Sequence, residues 1–492
     1  MTDQALTPSP LPQGLMTRKP LADIIAEGEG HALGKTLGPV SLTALGIGCI
    51  IGAGIFVLTG TAAARYAGPG IMLSFVIGGI ACAFVGLCYA ELAALLPVAG
   101  STYTYTYATL GEIFAWIIGW DLILEYAMGA STVAVGWSGY IASLLRNFGI
   151  YIPPQYAAAP WTEAKLPDGT TVEGIVNIPA ALIILALTAM LIGGTKESAR
   201  LNNIMVAVKL FVVVAFILLG AAYVTSANWH PLIPANTGEF GHFGWSGVVR
   251  GASVVFFAFI GFDAVSTAAQ EAKLPQRDMP IGILGSLVIC TILYVLVAAV
   301  VTGLVPYTEL NVPDPIAKAV DVIGMTWFSV LIKIGALAGL TTVILVLLYG
   351  QSRVFFTIAK DGLLPKMFSE VHPTLGTPYK SQLLIGIIVA IVAALTPIDV
   401  LGEMVSIGTL FAFALVCGAV VYLRKSDAEI FRPFRTPAVP WVPSLGIAFS
   451  LLLMVFLPWE TWLRLIVWLA IGLVLYFAYG RSHSVLMNGE RR

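Results

Sequence analysis

Charge is what this chain has least of. Only 11% of its 492 residues are Asp, Glu, Lys or Arg, and the two signs nearly cancel at a net −1. That balance removes the basic excess expected of a nucleic-acid binder, and no Lys/Arg run is dense enough for a polybasic lipid patch. Histidine is scarce as well: His31, His230, His242, His372 and His483 fall in expected tails, loops or segment ends. A membrane enzyme needs His, Ser/Asp or metal ligands at membrane depth, so neither hydrolysis nor a metal or other cofactor is expected. The five cysteines, Cys49, Cys82, Cys88, Cys290 and Cys417, sit in apolar segments without paired spacing, which leaves no disulfide framework or zinc cluster to read. The first 38 residues carry Pro8, Pro10 and Pro12 and no apolar core, so they read as a cytoplasmic tail and not as a cleavable signal. No loop or tail is long enough for the signalling domain of a membrane sensor, and no charge ring or filter repeat points to a channel.

Apolar residues are what the chain has in excess: 58% of it is hydrophobic and its mean hydropathy is +0.90. This composition belongs to a multi-spanning protein of the lipid bilayer. Runs long enough to cross about 30 Å of hydrocarbon fall at roughly 39–64, 70–96, 112–145, 176–194, 201–224 and 245–269. Six more follow at roughly 281–304, 325–358, 381–396, 401–423, 440–457 and 460–480. The expected fold is therefore all-α and integral to the membrane, with about twelve transmembrane helices. Basic residues collect on the cytoplasmic side of membrane helices. Lys35, Lys196, Arg277, Arg353, Lys380, Arg424, Arg432, Arg491 and Arg492 share one side, whereas Arg65, Arg146, Lys165, Arg250, Lys318 and Arg464 are nearly all that the other side holds. Both termini are expected in the cytoplasm, and the membrane is expected to be the cell inner (plasma) membrane.

The first apolar run contains GIGCIIGAGIF, with Gly46, Gly48, Gly52 and Gly54 where an unbroken helix would want none. Glycines in membrane helices also serve close packing, and Gly48 and Gly52 have that spacing. The sixth run favours a break over packing alone, because FFAFIGFDAVS again sets a glycine, Gly261, and an acid, Asp263, in mid-span. Broken backbone survives in a membrane only where protein or a cavity satisfies it. Paired interrupted segments at corresponding positions of two halves mark a transporter site. With five helices per half, the second half is inverted, giving a 5+5 repeat over 39–224 and 245–423, two further helices over 440–480 and a cytoplasmic tail from 481 to 492.

These motifs resemble the amino acid/polyamine/organocation superfamily, and within it bacterial relatives of the cationic amino acid transporters. PVAGSTYTY (Pro97 to Tyr105), EAKLPQRDMP (Glu271 to Pro280) and AKDGLLP (Ala359 to Pro365) extend the likeness over most of the first ten helices. The resemblance implies a leucine-transporter-type fold with helices 1 and 6 unwound around an amino acid, and alternating access by a rocking bundle. A zwitterion suits such a break, since its carboxylate fits free N–H groups and its ammonium fits free carbonyls. Gly52, Ala53 and Gly54 are expected to offer the amides; Ile50, Phe257, Ala258 and Ile260 the carbonyls. Phe257 stands where the family has an aromatic gate.

Lys209 lies about nine residues into its run, about 13 Å deep at 1.5 Å per residue. Burial disfavours an ammonium, so such a lysine can take up and release a proton within a cycle. In proton-coupled relatives a lysine here stands in for sodium. A fixed structural ion pair is the competing reading. Glu125 and Asp121, at i and i+4 in WDLILEY, are its expected partners. Thr341 and Thr342 fall where the family supplies hydroxyls to a sodium site, or bond back to their own helix. Asp263 either senses pH or caps the second half-helix. Glu91 and a Glu271/Arg277 pair are expected near the cytoplasmic ends as gate or structural ion pairs. The expected function is proton symport of an L-amino acid, neutral because no acid is spare if Glu125 pairs with Lys209. The alternatives are a cationic substrate and an exchanger.

Overall fold

The structure is a computed structural model that describes residues 14–20, 24, 37–96, 101–165, 170–193, 198–373 and 375–488. Lys35, Lys196, Arg491 and Arg492, Pro97 to Gly100 of the PVAGSTYTY motif and most of the expected N-terminal tail lie outside the described residues.

Helices dominate. In chain order they are α1 (Pro39–Ile50), α2 (Ile71–Leu95), α3 (Ser101–Thr109), α4 (Glu112–Asn147), α5 (Ile178–Gly193), α6 (Ser198–Ala221) and α7 (Gly244–Val255). After them come α8 (Pro275–Leu304), α9 (Pro315–Ile323), α10 (Thr326–Lys360), α11 (Tyr379–Leu395), α12 (Ile398–Ser426), α13 (Trp441–Val455) and α14 (Trp459–Leu475). Among the described residues seven helices are long and apolar enough to cross a membrane, and five shorter apolar helices accompany them. Three starts follow directly from sequence: α1, α8 and α9 open on Pro39, Pro275 and Pro315, where the missing N–H costs nothing and φ is already helical.

Burial sorts the helices. The most apolar windows of α4 and α12 are each 72% buried, against 28% for α6 and 22% for α14. α4 packs on α10 and α12, and α8 on α1 and α2, so these helices form the centre. Leu182, Phe211, Ile391 and Val474 on the outer helices, and Val288 on the outer face of α8, are each more than half exposed, the large apolar surface expected of a multi-pass membrane protein.

Three elements escaped the apolar-run reading. A two-stranded antiparallel hairpin, β1 (Glu163–Lys165) and β2 (Thr171–Glu173), joins α4 to α5. α9 is a short amphipathic helix before α10. α3, with the sequence STYTYTYAT, alternates Thr and Tyr as a strand would, yet Thr102, Tyr103, Tyr105, Thr106 and Tyr107 are all buried. Burial on every side removes the advantage of a two-faced strand, and tertiary contact overrides the local pattern.

Candidate functional site

The first and sixth apolar runs are both interrupted in the middle. α1 stops at Ile50; Ile51 is extended (φ −71°, ψ 104°), and helix resumes as a π-helical turn, Gly54–Leu58. The amides of Gly52, Ala53 and Gly54 thus open a new helical piece, where N–H groups have no intrahelical partner. In the sixth run α7 tightens into a 3-10 turn, Phe256–Phe259, then breaks at Ile260 (φ −61°, ψ 139°) before a second 3-10 stretch, Asp263–Glu271.

The two breaks touch through glycine. A Cβ on Gly54 would overlap Cα and Cβ of Ala258, and one on Gly261 would come 2.9 Å from the Cys49 carbonyl oxygen. Gly261 also has φ +107°, a region side chains other than glycine rarely enter. Its N–H donates to Asp263 Oδ1 at 3.2 Å, so Asp263 satisfies the backbone across the break.

The last carbonyls of α1 need donors, and two side chains from other helices supply them. Lys209 of α6, fully buried, donates from Nζ to the Gly48 carbonyl, to Ile51 O at 3.0 Å and weakly to Thr342 Oγ1 at 3.4 Å. A cation is also the charge that a helix C-terminus favours. Tyr294 of α8, fully buried, sets its hydroxyl 2.8 Å from Ile50 O and 2.7 Å from Ala258 O, and so bridges the two broken helices. Its ring is wedged against Phe75 and Phe259.

The structure brings together only part of the expected set. Ile50, Ala53, Phe257, Ala258 and Ile260 line the two breaks, at most 7% exposed. Their carbonyls are less free than expected: Ile50 and Ala258 face Tyr294, and Phe257 O accepts the Ile260 N–H at 3.2 Å. Thr342 meets Lys209, but also donates to Gly339 O at 2.7 Å. Thr341 points elsewhere, donating to Leu337 O and accepting the Trp137 indole N–H at 3.1 Å. Glu125 does not pair with Lys209. The acids nearest it are Asp263 and Asp121, and its hydroxyl neighbour is Thr409 of α12. Both Asp121 oxygens and Oε1 of Glu125 are buried without a hydrogen-bond partner. The pairing expectation failed because depth along a helix says nothing about the direction in which a side chain leaves it.

Of the other expected ion pairs, Glu271 and Arg277 are not among those of the described residues. Glu91, fully buried, holds Arg424 in a two-pronged contact at 2.9 and 2.8 Å, Arg432 at 3.2 Å and the Thr436 N–H at 2.8 Å. This ties the segment after α12 to α2. Tyr294 is the residue that sequence reasoning missed. A tyrosine in an apolar run looks like packing, although the cost of leaving its hydroxyl unpaired there is a signal that it meets a polar group.

Known proteins similar to this chain are permeases and transporters by name. The family model described as amino acid permease matches residues 37–477. The chain is 49% identical over 471 residues to the branched-chain amino acid permease BcaP of Bacillus subtilis (strain 168), covering 95% of this chain and 98% of that one. It is 45% identical over 472 residues to the methylthioribose transporter of the same organism, covering 96% and 99%. It is 41% identical over 399 residues to the vacuolar cationic amino acid transporter 4 of Arabidopsis thaliana, covering 80% of this chain and 64% of that one.

Proposed function

The chain belongs to the amino acid permease family and is a multi-pass membrane protein, and from that premise we propose that it carries neutral L-amino acids together with protons by alternating access. The observation that carries this reading is the meeting of two interrupted helices whose orphan carbonyls are capped by Lys209 and Tyr294. In this reading the substrate carboxylate sits on the amides of Gly52, Ala53 and Gly54. Its ammonium takes the second lone pairs of the Ile50, Phe257, Ala258 and Ile260 carbonyls, since each carbonyl oxygen accepts twice. Phe257 and Asp263, on either side of the Gly261 break, act as gates.

Proton coupling rests on Lys209 with Thr342. An ammonium has three donors, and Nζ has three acceptors, one on α1 at Gly48 and one just past its end at Ile51. Loss of the proton removes one donor and loosens the end of α1, which links the charge of Lys209 to the position of a half-helix. Thr341 and Glu125, which lie away from Lys209, take no part in that step. The twelve-helix count, the inverted halves 39–224 and 245–423, the inner-membrane location and the cytoplasmic termini belong to the same proposal. Seven long and five shorter apolar helices support it.

The lack of a spare acid no longer favours a neutral substrate, because Glu125 is free of Lys209. Neutral preference is supported instead by the likeness to BcaP, named for branched-chain amino acids. A cationic substrate is the second reading, favoured by the unpartnered oxygens of Asp121 and Glu125. A thermal-shift screen separates them, since a ligand stabilises according to its occupancy. Leucine, isoleucine and valine should raise the melting temperature, while arginine and lysine should not. Stabilisation by arginine alone supports the second reading, and stabilisation by methylthioribose but by no amino acid refutes both.

A further inference from the structure

Two of the central helices end on the wrong charge. A helix C-terminus carries partial negative charge and favours a base there, yet α10 is capped by Asp361 and α12 by Asp427. The bases in their last turns do not answer these acids: Arg424 is committed to Glu91, Lys425 makes no ion pair among the described residues, and Lys360 lies over the Phe356 ring. The answering cations come from two consecutive residues far away in sequence. Arg18 reaches Asp427 at 2.8 Å, and Lys19 reaches Asp361 at 3.0 Å. The strap that carries them, residues 14–20, lies across the start of α4 by main-chain bonds. Glu112 N–H donates to Thr17 O and Ile113 N–H to Leu15 O, each at 3.1 Å, and Lys19 N–H donates to Tyr107 O at 3.3 Å.

The other end of the chain fastens to the same two places. Val485 N–H donates to Asp361 O at 3.1 Å. Tyr476 and Ser484 donate their hydroxyls to the Glu112 carboxylate, which also accepts from Tyr107 at 2.8 Å. The two attachments differ in burial. Glu112, Tyr476 and Ser484 are fully buried, so breaking that contact would strand a carboxylate away from water. The strap's pairs are more open, with side chains 35% and 32% exposed at Arg18–Asp427 and 16% and 13% at Lys19–Asp361, and a pocket of about 170 Å³ lies between Arg18, Lys19, Pro20, Ala108 and Asp427. Ion pairs of this kind are individually weak and are screened by salt.

We propose that the strap, residues 14–20, is a releasable latch: Arg18 and Lys19 hold the ends of α12 and α10 against the start of α4, and each transport cycle requires their release. The C-terminal turn stays attached and returns the strap to the same anchor points. The latch concerns this end of the bundle and does not depend on which amino acid is carried.

The test uses the full chain in lipid, with spin labels at Met16→Cys and Lys425→Cys; the five native cysteines are all buried. At low ionic strength the expected result is one label separation. Adding salt to about 0.5 M, or making the double variant Arg18→Ala/Lys19→Ala, should add a longer separation. Two weak pairs that oppose opening should slow transport by about two- to tenfold, so the double variant should take up labelled leucine faster by that factor. The charge-exchanged variant Arg18→Asp/Asp427→Arg should restore the single separation and the original rate, which a folding defect would not. A separation that ignores salt and both substitutions overturns the latch. So does a longer separation without faster uptake, or uptake that falls only in step with the amount of folded protein. If leucine is not a substrate, the uptake arm uses the amino acid that the thermal-shift screen identifies.

Discussion

Replacing Tyr294 with phenylalanine removes one oxygen from the junction of the two broken helices and leaves everything else in place. The ring is held by Phe75 and Phe259, with centroids 5.4 and 5.5 Å away, so the Tyr294→Phe variant should keep the packing. What disappears is the hydroxyl 2.8 Å from Ile50 O and 2.7 Å from Ala258 O. Both carbonyls are buried, and a buried acceptor left without a donor costs about 1–3 kcal/mol. Unfolding followed by scanning calorimetry in detergent should therefore show a lower melting temperature. Binding should weaken too. Two carbonyl dipoles aimed at one point repel each other, and without the bridging hydroxyl they splay apart before the substrate ammonium arrives. Since about 1.4 kcal/mol is tenfold in affinity, KM for leucine should rise about five- to tenfold, with the maximal rate less affected. An unchanged melting temperature together with an unchanged KM would refute the view that Tyr294 organises the two breaks.

Gly261→Ala places a Cβ 2.9 Å from the Cys49 oxygen at φ +107° and should abolish uptake at normal expression, or fail to give folded protein on size-exclusion chromatography. Glu125→Gln, which leaves Lys209 and its partners untouched, should reduce arginine-induced thermal stabilisation if the substrate is cationic and leave leucine stabilisation intact if it is neutral. Asp427 is held below the usual carboxylate range, first by the Ser426 hydroxyl and also by Arg18. A depressed carboxyl stabilises above its ordinary value and loses that contribution only as pH falls through the lowered one. The Arg18–Asp427 pair should therefore persist between about pH 5 and 8, and the Met16–Lys425 label separation in Lys19→Ala, where that pair alone holds the strap, should not change in that window.

Much of the architecture was legible because membrane helices announce themselves by length and apolarity. The expected run at 112–145 corresponds to Glu112–Asn147, and the run at 401–423 to Ile398–Ser426. The interruptions were legible for a related reason: Gly52, Gly54 and Gly261 are costly inside a helix and informative where they recur. What was hidden depended on direction. Lys209 and Glu125 were expected to pair, yet one turns to α1 and the other to Asp263 and Thr409. Thr341 and Thr342 are adjacent, and a helix sends adjacent side chains about 100° apart, so only one reaches Lys209. The strap was invisible because Arg18 and Lys19 read as ordinary positive charges of a tail. Their meaning comes from Asp361 and Asp427, more than 300 residues away in the chain.

The central claim is that Lys209, capping the broken end of α1, couples a proton to amino acid movement. It is tested most directly by radiolabelled leucine uptake into proteoliposomes under an inward proton gradient, comparing the unaltered protein with Lys209→Ala. The account predicts accumulation above equilibrium in the first case, collapse when the gradient is dissipated, and no accumulation in the variant. Accumulation that requires sodium and ignores the proton gradient, or that survives in Lys209→Ala, would contradict it.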